Sequence, residues 1–316
     1  MNAFDSLENL PKKRQVVALG CFDGVHTGHM QVLNEMKKAA EELCVSTCVF
    51  AFDQPPRNFF APRSVPVITP KKEKLEIFRS LDIDTAICVP FDEKITSITA
   101  EDFVRNILIE GLGAAHVVCG YNYAFGQRAK GTPSLIKEIC EPLGIGVTVV
   151  GDFRKDGVTV SSSLIRSLIA DGQIEDAAKY LGRPYSLTST VVDGQHLARK
   201  LGFPTVNLIP DSSRLIPKYG VYVTATSVDG QKKYGIANVG VRPTVDTNIL
   251  CVEAHLFDFD GDLYGRELNV YFLGFLRDER VFASVKELTE QIERDKARAT
   301  KENERDLGKL NERNLD

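Results

Sequence analysis

The chain has 316 residues, more than one typical hydrophobic core accommodates, and this length favours two domains. A formal net charge of −4 with 26% charged residues argues against a general nucleic-acid binder or a protein that coats anionic membranes. No apolar run is long enough to span a bilayer and residues 1–15 lack the apolar stretch of a secretory signal, so a cytoplasmic protein is expected.

The first half of the chain alternates strand-like and helix-like segments. The predicted strands are 16–19, 45–52, 85–89, 116–119 and 147–150. The predicted helices are one ending at Leu43, then 71–80, 99 to about 109, 134–140, 161–170 and 174–181. Repeated β-α units of this kind predict an α/β domain with a parallel, Rossmann-like sheet and helices on both faces.

The second half consists mainly of β-rich segments separated by turn residues. These segments are 185–192, 219–228, 233–239, 251–257 and 268–273. Strands without intervening helices predict an antiparallel barrel or sandwich. A helix with Val285, Leu288 and Ile292 on one face is expected to close it, and the charged tail from Thr300 is expected to be solvated. The predicted domains are 1–183 and 184–316.

The most informative stretch is residues 20–29, Gly-Cys-Phe-Asp-Gly-Val-His-Thr-Gly-His, between a predicted strand and a predicted helix. Glycines allow the backbone to approach a ligand closely, and a helix N-terminus favours phosphate. His26 and His29 are three residues apart, so both can face one ligand and donate to phosphate oxygens during nucleotidyl transfer. The predicted nucleotide-binding residues of this stretch are Gly20, Phe22, Asp23, Gly24 and Gly28.

This stretch resembles the signature of the HIGH-type nucleotidyltransferase superfamily, and two later segments resemble motifs of prokaryotic FAD synthetases. Residues 120–126, Gly-Tyr-Asn-Tyr-Ala-Phe-Gly, match a segment that implies a flavin site at Asn122, Tyr123 and Phe125. Residues 160–166, Val-Ser-Ser-Ser-Leu-Ile-Arg, match one that places Ser162, Ser163 and Arg166 on the ATP phosphates. The family usually has Asp-Pro-His-Pro after its second strand, whereas this chain has Pro55 in place of that histidine.

Residues 201–207, Leu-Gly-Phe-Pro-Thr-Val-Asn, open a region that resembles the riboflavin kinase family over roughly 184–298. Thr205 and Asn207 are two residues apart on an extended segment, so both side chains can point to one side and hold the Mg²⁺ that accompanies ATP. The resemblance further implies that Glu253 is the catalytic base. It also implies a phosphate-covering flap that contains Gly194, Arg199 and Gly202. The family usually has glycine where this chain has Ala198.

The whole chain is therefore similar to the bacterial bifunctional riboflavin kinase/FAD synthetase family. The resemblance implies ATP, riboflavin, FMN and FAD as substrates or products, with no nucleic-acid or membrane partner. Three alternatives stay open: an enzyme with only one of the two activities, another HIGH-type transferase, and a non-enzymatic flavin-binding regulator. The sequence does not define an oligomeric state.

Overall fold

The computed structural model describes residues 1–60, 64–193, 203–243 and 248–310. The chain divides into two compact units, Met1–Leu164 and Ile165–Asp316. The domain limits of 1–183 and 184–316 remain a prediction.

The first unit contains a six-stranded parallel sheet. Its strands are β1 (Asn2–Phe4), β2 (Gln15–Leu19), β3 (Ser46–Phe52), β4 (Thr85–Val89), β5 (Ala114–Gly120) and β6 (Gly146–Val150). Their spatial order is β1-β4-β3-β2-β5-β6, and each neighbouring pair is parallel. The predicted parallel sheet is confirmed. Only β1 had no predicted counterpart, because three residues are too few to show a periodic pattern.

Helices cover both faces of this sheet, as predicted. They are α1 (Thr27–Leu43), α2 (Arg57–Phe60), α3 (Lys71–Ser80), α4 (Glu93–Ser97), α5 (Ala100–Asp102), which continues as a π-helical segment (Phe103–Gly111), and α6 (Pro133–Cys140), with short 3₁₀ turns at Gln127–Ala129 and Glu141–Leu143. Successive residues of β2 point to opposite faces. Val16 packs with Leu33 of α1 on one face, and Val17 packs with Leu108 and Ile136 on the other.

The second unit is built on a closed antiparallel barrel. Its strands are β9 (Tyr185–Val192), β10 (Thr205–Leu208), β11 (Gly220–Val228), β12 (Gln231–Pro243), β13 (Asn248–Leu256) and β14 (Glu267–Arg277). They close in the order β10-β13-β12-β11-β14-β9, which confirms the predicted barrel. The connecting elements between the sheet and the barrel are a short hairpin, β7 (Arg154–Lys155) and β8 (Val158–Thr159), and two helices, α7 (Ser162–Ala170) and α8 (Ile174–Leu181).

The last helix, α9 (Val285–Leu310), differs from the prediction in two ways. Val285 is 55% exposed and does not belong to the apolar face, whereas Ile292 and Ala299 pack with Val221 and Leu276 of the barrel. The helix also continues ten residues past Thr300, where a frayed tail was expected. Lysine, glutamate, arginine and leucine are good helix formers, so a charged composition alone was a poor indicator of a helix end.

A buried ion pair fastens α9 to the barrel. Asp295 is 5% exposed, and its Oδ2 atom accepts hydrogen bonds from Nε and Nη2 of Arg277 on β14 at 2.9 and 2.8 Å. Its Oδ1 atom accepts a hydrogen bond from Gln291 at 2.7 Å. Both carboxylate oxygens of Asp295 therefore accept hydrogen bonds, as a buried carboxylate requires.

We expect Asp295→Asn to lower the unfolding free energy of the second unit by about 3 kcal/mol, because it leaves the Arg277 guanidinium without its buried counter-charge. Chemical denaturation of the full-length protein measures the loss. The matched control is Asp229→Asn, which removes an exposed partner of Arg266. Equal stability of the two variants would contradict a fastening role for Asp295.

Candidate active sites

The loop between β2 and α1 has an unusual backbone. Phe22, Gly24 and Val25 have φ angles of 52°, 91° and 38°. Left-handed backbone is unfavourable for a β-branched residue such as Val25, and it persists only where the surrounding structure enforces it. Here side-chain packing holds this backbone conformation, because Phe22 and Val25 are each 1% exposed and the Phe22 ring lies edge-on to Phe78. A Cβ at Gly20 would approach the Phe22 ring to 2.9 Å, so this position needs glycine.

The two histidines cap α1 reciprocally. The backbone N–H of His29 donates to Nδ1 of His26 at 3.2 Å, and the backbone N–H of His26 donates to Nδ1 of His29 at 3.3 Å. The rings stack with centroids 3.6 Å apart. Because each Nδ1 accepts a hydrogen bond, each neutral ring carries its proton on Nε2, which is the form that can donate to a phosphate oxygen. Gly28 leaves room for this stack, since a Cβ there would lie 3.2 Å from the His26 ring.

Asp23 positions this loop through buried hydrogen bonds. The residue is 2% exposed, and its Oδ1 atom accepts hydrogen bonds from the backbone N–H groups of Ile68 and Thr69, both at 3.0 Å. Its carbonyl oxygen accepts a hydrogen bond from the Ser162 hydroxyl at 2.8 Å. The loop and the start of α7 are thus joined directly, which brings Ser162 of the third motif to the first.

The other residues of the third motif follow on the same helix. Ser163 is exposed, and Arg166 is 9% exposed and lies one helical turn after Ser162. Ser161 begins the helix by accepting a hydrogen bond from the N–H of Leu164 at 3.2 Å.

Lys74 is a residue of this region that sequence reasoning did not identify. It belongs to α3 and is 0% exposed, and its Nζ donates to the carbonyl oxygens of Cys21 and Phe52 at 3.0 and 2.6 Å. These carbonyls lie at the carboxyl ends of β2 and β3. The signal in the sequence was its spacing, because Lys74 shares with Phe78 the buried face of an otherwise polar helix.

Pro55 is the residue at which the sequence resemblance led us to expect a histidine. It is buried, and its carbonyl oxygen accepts a hydrogen bond from the N–H of Asn58 at the start of α2. Pro55 therefore contributes to a local turn and offers no donor to a phosphate.

An apolar cavity of about 170 Å³ lies beside the second motif. Its aromatic lining comprises Phe52, Phe60, Phe91, Phe103, Tyr123 and Phe125. Tyr123 and Phe125 stack with ring centroids 5.6 Å apart, and burial raises the pKa of the Tyr123 hydroxyl, which stays neutral. Asn122 is exposed and does not line this cavity. A flat aromatic ligand suits such walls.

In the barrel, Thr205 and Asn207 line a separate cavity of about 200 Å³, together with Asp260, Asp262 and Tyr264. Asn207 on β10 pairs directly with Glu253 on β13, so the two side chains share one face of the sheet. Thr205 is two residues away on the same strand and has the same orientation. The structure therefore brings together three residues that were predicted for the kinase site, Thr205, Asn207 and Glu253. Gly194, Ala198, Arg199 and Gly202 lie outside the described residues.

His255 is a second residue that the sequence did not identify. It pairs with Thr205 across the strands, and its Nδ1 is 2.9 Å from the carbonyl oxygen of Pro204. This carbonyl can only accept, so Nδ1 carries the proton. Burial lowers the pKa of His255 below its usual value of about 6.5, and the charge of Lys296 adds to this effect. The hydrogen bond to the Pro204 carbonyl and the charge of Glu293 oppose it without reversing it.

We expect the barrel to lose stability as the pH falls below about 6.5, because the unfolded chain then binds a proton at His255 more readily than the folded chain does. Above that pH, His255 is neutral in both the folded and the unfolded chain, so it does not make the free energy of unfolding depend on pH. Thermal unfolding of the second unit between pH 5 and pH 8 measures this, and His255→Gln should flatten the curve. The control is His116→Gln in the first unit. A barrel curve unchanged by His255→Gln would contradict the assignment.

Two sequence families match this chain. The FAD synthetase family matches residues 9–164, and the riboflavin kinase family matches residues 181–302. A bifunctional riboflavin kinase/FMN adenylyltransferase of Pseudomonas fluorescens is 37% identical over 302 residues, which cover 95% of this chain and 97% of that protein. The chain belongs to the bifunctional riboflavin kinase/FMN adenylyltransferase family. A Bacillus subtilis member of the family is 33% identical, over 90% of this chain and 92% of that one.

A solved structure also superimposes on nearly the whole chain. It is a Streptococcus pneumoniae protein named as a macrolide-efflux protein, with a TM-score of 0.85 and 29% identity, covering 93% of this chain and 97% of that one. In the described part of the present chain, no helix is both long enough and apolar enough to cross a membrane.

Proposed function

We propose that this chain phosphorylates riboflavin to FMN in the barrel and adenylylates FMN to FAD in the first unit. Both reactions follow from the two family matches and from the bifunctional relatives. The observation that carries the adenylyl-transfer assignment is the reciprocal cap of His26 and His29, which keeps a donor on Nε2 of each ring at the N-terminus of α1.

In the first unit, a phosphate oxygen of FMN attacks the α-phosphorus of ATP in line, and the bond to the β-phosphate breaks to release pyrophosphate. The enzyme needs no covalent nucleophile, so its contribution is positioning and charge stabilisation. The Nε2–H groups of His26 and His29 donate to the reacting phosphates, and the positive end of the α1 dipole lies at the same place. Ser162, Ser163 and Arg166 hold the leaving pyrophosphate.

The aromatic cavity beside the second motif would hold the flavin ring system. Tyr123 and Phe125 supply flat apolar surface. Asn122 lies outside this lining, at the neighbouring exposed position, and would offer its amide to the polar edge of the ring at the cavity mouth. The main-chain turn of Gly20, Phe22, Asp23, Gly24 and Gly28 would hold the nucleotide.

In the barrel, Glu253 takes the proton from the riboflavin 5′-hydroxyl as its oxygen attacks the γ-phosphorus of ATP, and ADP leaves. Thr205 and Asn207 offer a hydroxyl and an amide oxygen on one strand face, and these hard ligands suit Mg²⁺. When bound, Mg²⁺ neutralises part of the triphosphate charge. By the same resemblance, Gly194, Arg199 and Gly202, which lie outside the described residues, would bind the ATP phosphates.

The partners are small molecules, and we place the protein in the cytoplasm. All seven cysteines are thiols outside any disulfide, and five of them are buried, which suits a reducing compartment. The buried ones are Cys48, Cys88, Cys119, Cys140 and Cys251.

The test is a product assay with purified protein, riboflavin, ATP and Mg²⁺. FMN should form first and FAD should follow. FMN without FAD would assign only the kinase, FAD only when FMN is supplied would assign only the adenylyltransferase, and binding of flavin without turnover would favour a regulator. Both departures from the family pattern, Pro55 and Ala198, are thereby tested in one experiment.

A further inference from the structure

The ammonium group of Lys74 is completely buried, yet it has no carboxylate within ion-pair distance among the described residues. Its hydrogen-bond partners are two backbone carbonyls, those of Cys21 and Phe52. A buried cation is unfavourable unless it is paired or well solvated by dipoles. A lysine at a position where an apolar side chain would pack calls for a role that needs its charge or its donors.

The positions of the two carbonyls indicate that role. Cys21 immediately precedes Phe22, the first residue of the loop with left-handed backbone, and Phe52 is the last residue of β3. Lys74 therefore clamps the beginning of the loop to the end of the adjacent strand. Asp23 fastens the middle of the same loop to the residues that precede α3, because its Oδ1 atom accepts hydrogen bonds from the N–H groups of Ile68 and Thr69.

We infer that Lys74 is a positioning residue for adenylyl transfer. Its ammonium holds the strained loop in the conformation that starts α1 at His26, and so it sets the place of the two imidazoles. Its charge also adds a fixed positive potential beneath a loop that receives two polyanions. This inference rests on the proposed function of the first unit.

The test compares two lysine-to-methionine variants on one helix. Methionine has nearly the length of lysine and fills its space, but it lacks the charge and the donors. Lys74→Met should lower kcat for FAD formation from FMN and ATP about 100-fold, since a small misplacement of catalytic groups has effects of this size. The KM for ATP should change little. Lys71→Met, a partly exposed lysine one turn earlier that pairs with Asp5, should leave kcat at the wild-type value.

Hydrogen exchange separates positioning from loss of fold. Lys74→Met should speed amide exchange in residues 21–26 and leave β2, β3 and β4 protected. Riboflavin phosphorylation in the same molecules should remain at the wild-type rate. A kcat within threefold of wild type would overturn the inference, and so would loss of strand protection together with activity. Failure of the wild-type protein to make FAD would instead refute the proposed function.

Discussion

We expect His29→Ala to lower the rate of FAD formation from FMN and ATP by 10²- to 10³-fold, which is the usual effect of removing one donor to developing charge. The substitution removes the Nε2–H of one imidazole, and it also removes the Nδ1 acceptor for the backbone N–H of His26. Steady-state assays with supplied FMN measure the effect. Riboflavin phosphorylation in the barrel should be unchanged.

His29→Asn separates the two roles of this side chain. Asparagine oxygen can accept the hydrogen bond from the His26 N–H and preserve the cap, but it places no donor where Nε2 lies. We therefore expect it to be as slow as His29→Ala. Recovery of most of the wild-type rate by His29→Asn would mean that the histidine serves the helix start and not the phosphates.

Glu253→Gln should reduce FMN formation by 10²- to 10⁴-fold, the range expected when a general base is removed. Glutamine has the shape of glutamate but cannot accept the proton of the riboflavin hydroxyl. Its pairing with Asn207 on β10 and with Asn238 on β12 is set by the strand register and should be retained. Product analysis with riboflavin and ATP measures the loss.

The same variant should still convert supplied FMN to FAD at the wild-type rate. Glu290→Gln is a suitable control, because Glu290 is exposed on α9. Loss of both reactions, or of neither, in Glu253→Gln would contradict the division of the two reactions between the units.

The sequence predicted well those features that arise from local patterns. The alternation of β and α segments was sufficient for the parallel sheet, and the spacing of His26 and His29 was sufficient to bring their rings to one place. It was also sufficient for the shared orientation of Thr205 and Asn207, because side chains alternate along a strand.

Features that depend on tertiary contacts were not predictable in this way. The spacing of Lys74 and Phe78 places Lys74 on the buried face of α3, but only its hydrogen bonds to two backbone carbonyls reveal its use. The prediction was wrong at Val285, which has the right spacing for an apolar face but lies beyond the barrel surface that α9 covers. His255 was missed because its partner, the Pro204 carbonyl, comes from a distant part of the chain.

The shortness of the first strand makes one edge of the parallel sheet prone to aggregation. β1 supplies only three residues, yet within the described parts of the chain it is the one strand that pairs with the outer side of β4. The five residues of β4 are all buried and mostly apolar. The barrel differs from the sheet in this respect, because its six described strands close on one another and leave no edge strand. Release of Asn2–Phe4 would expose the unpaired backbone N–H and C=O groups of β4. Two molecules could then pair through this exposed edge strand, and aggregation would begin there.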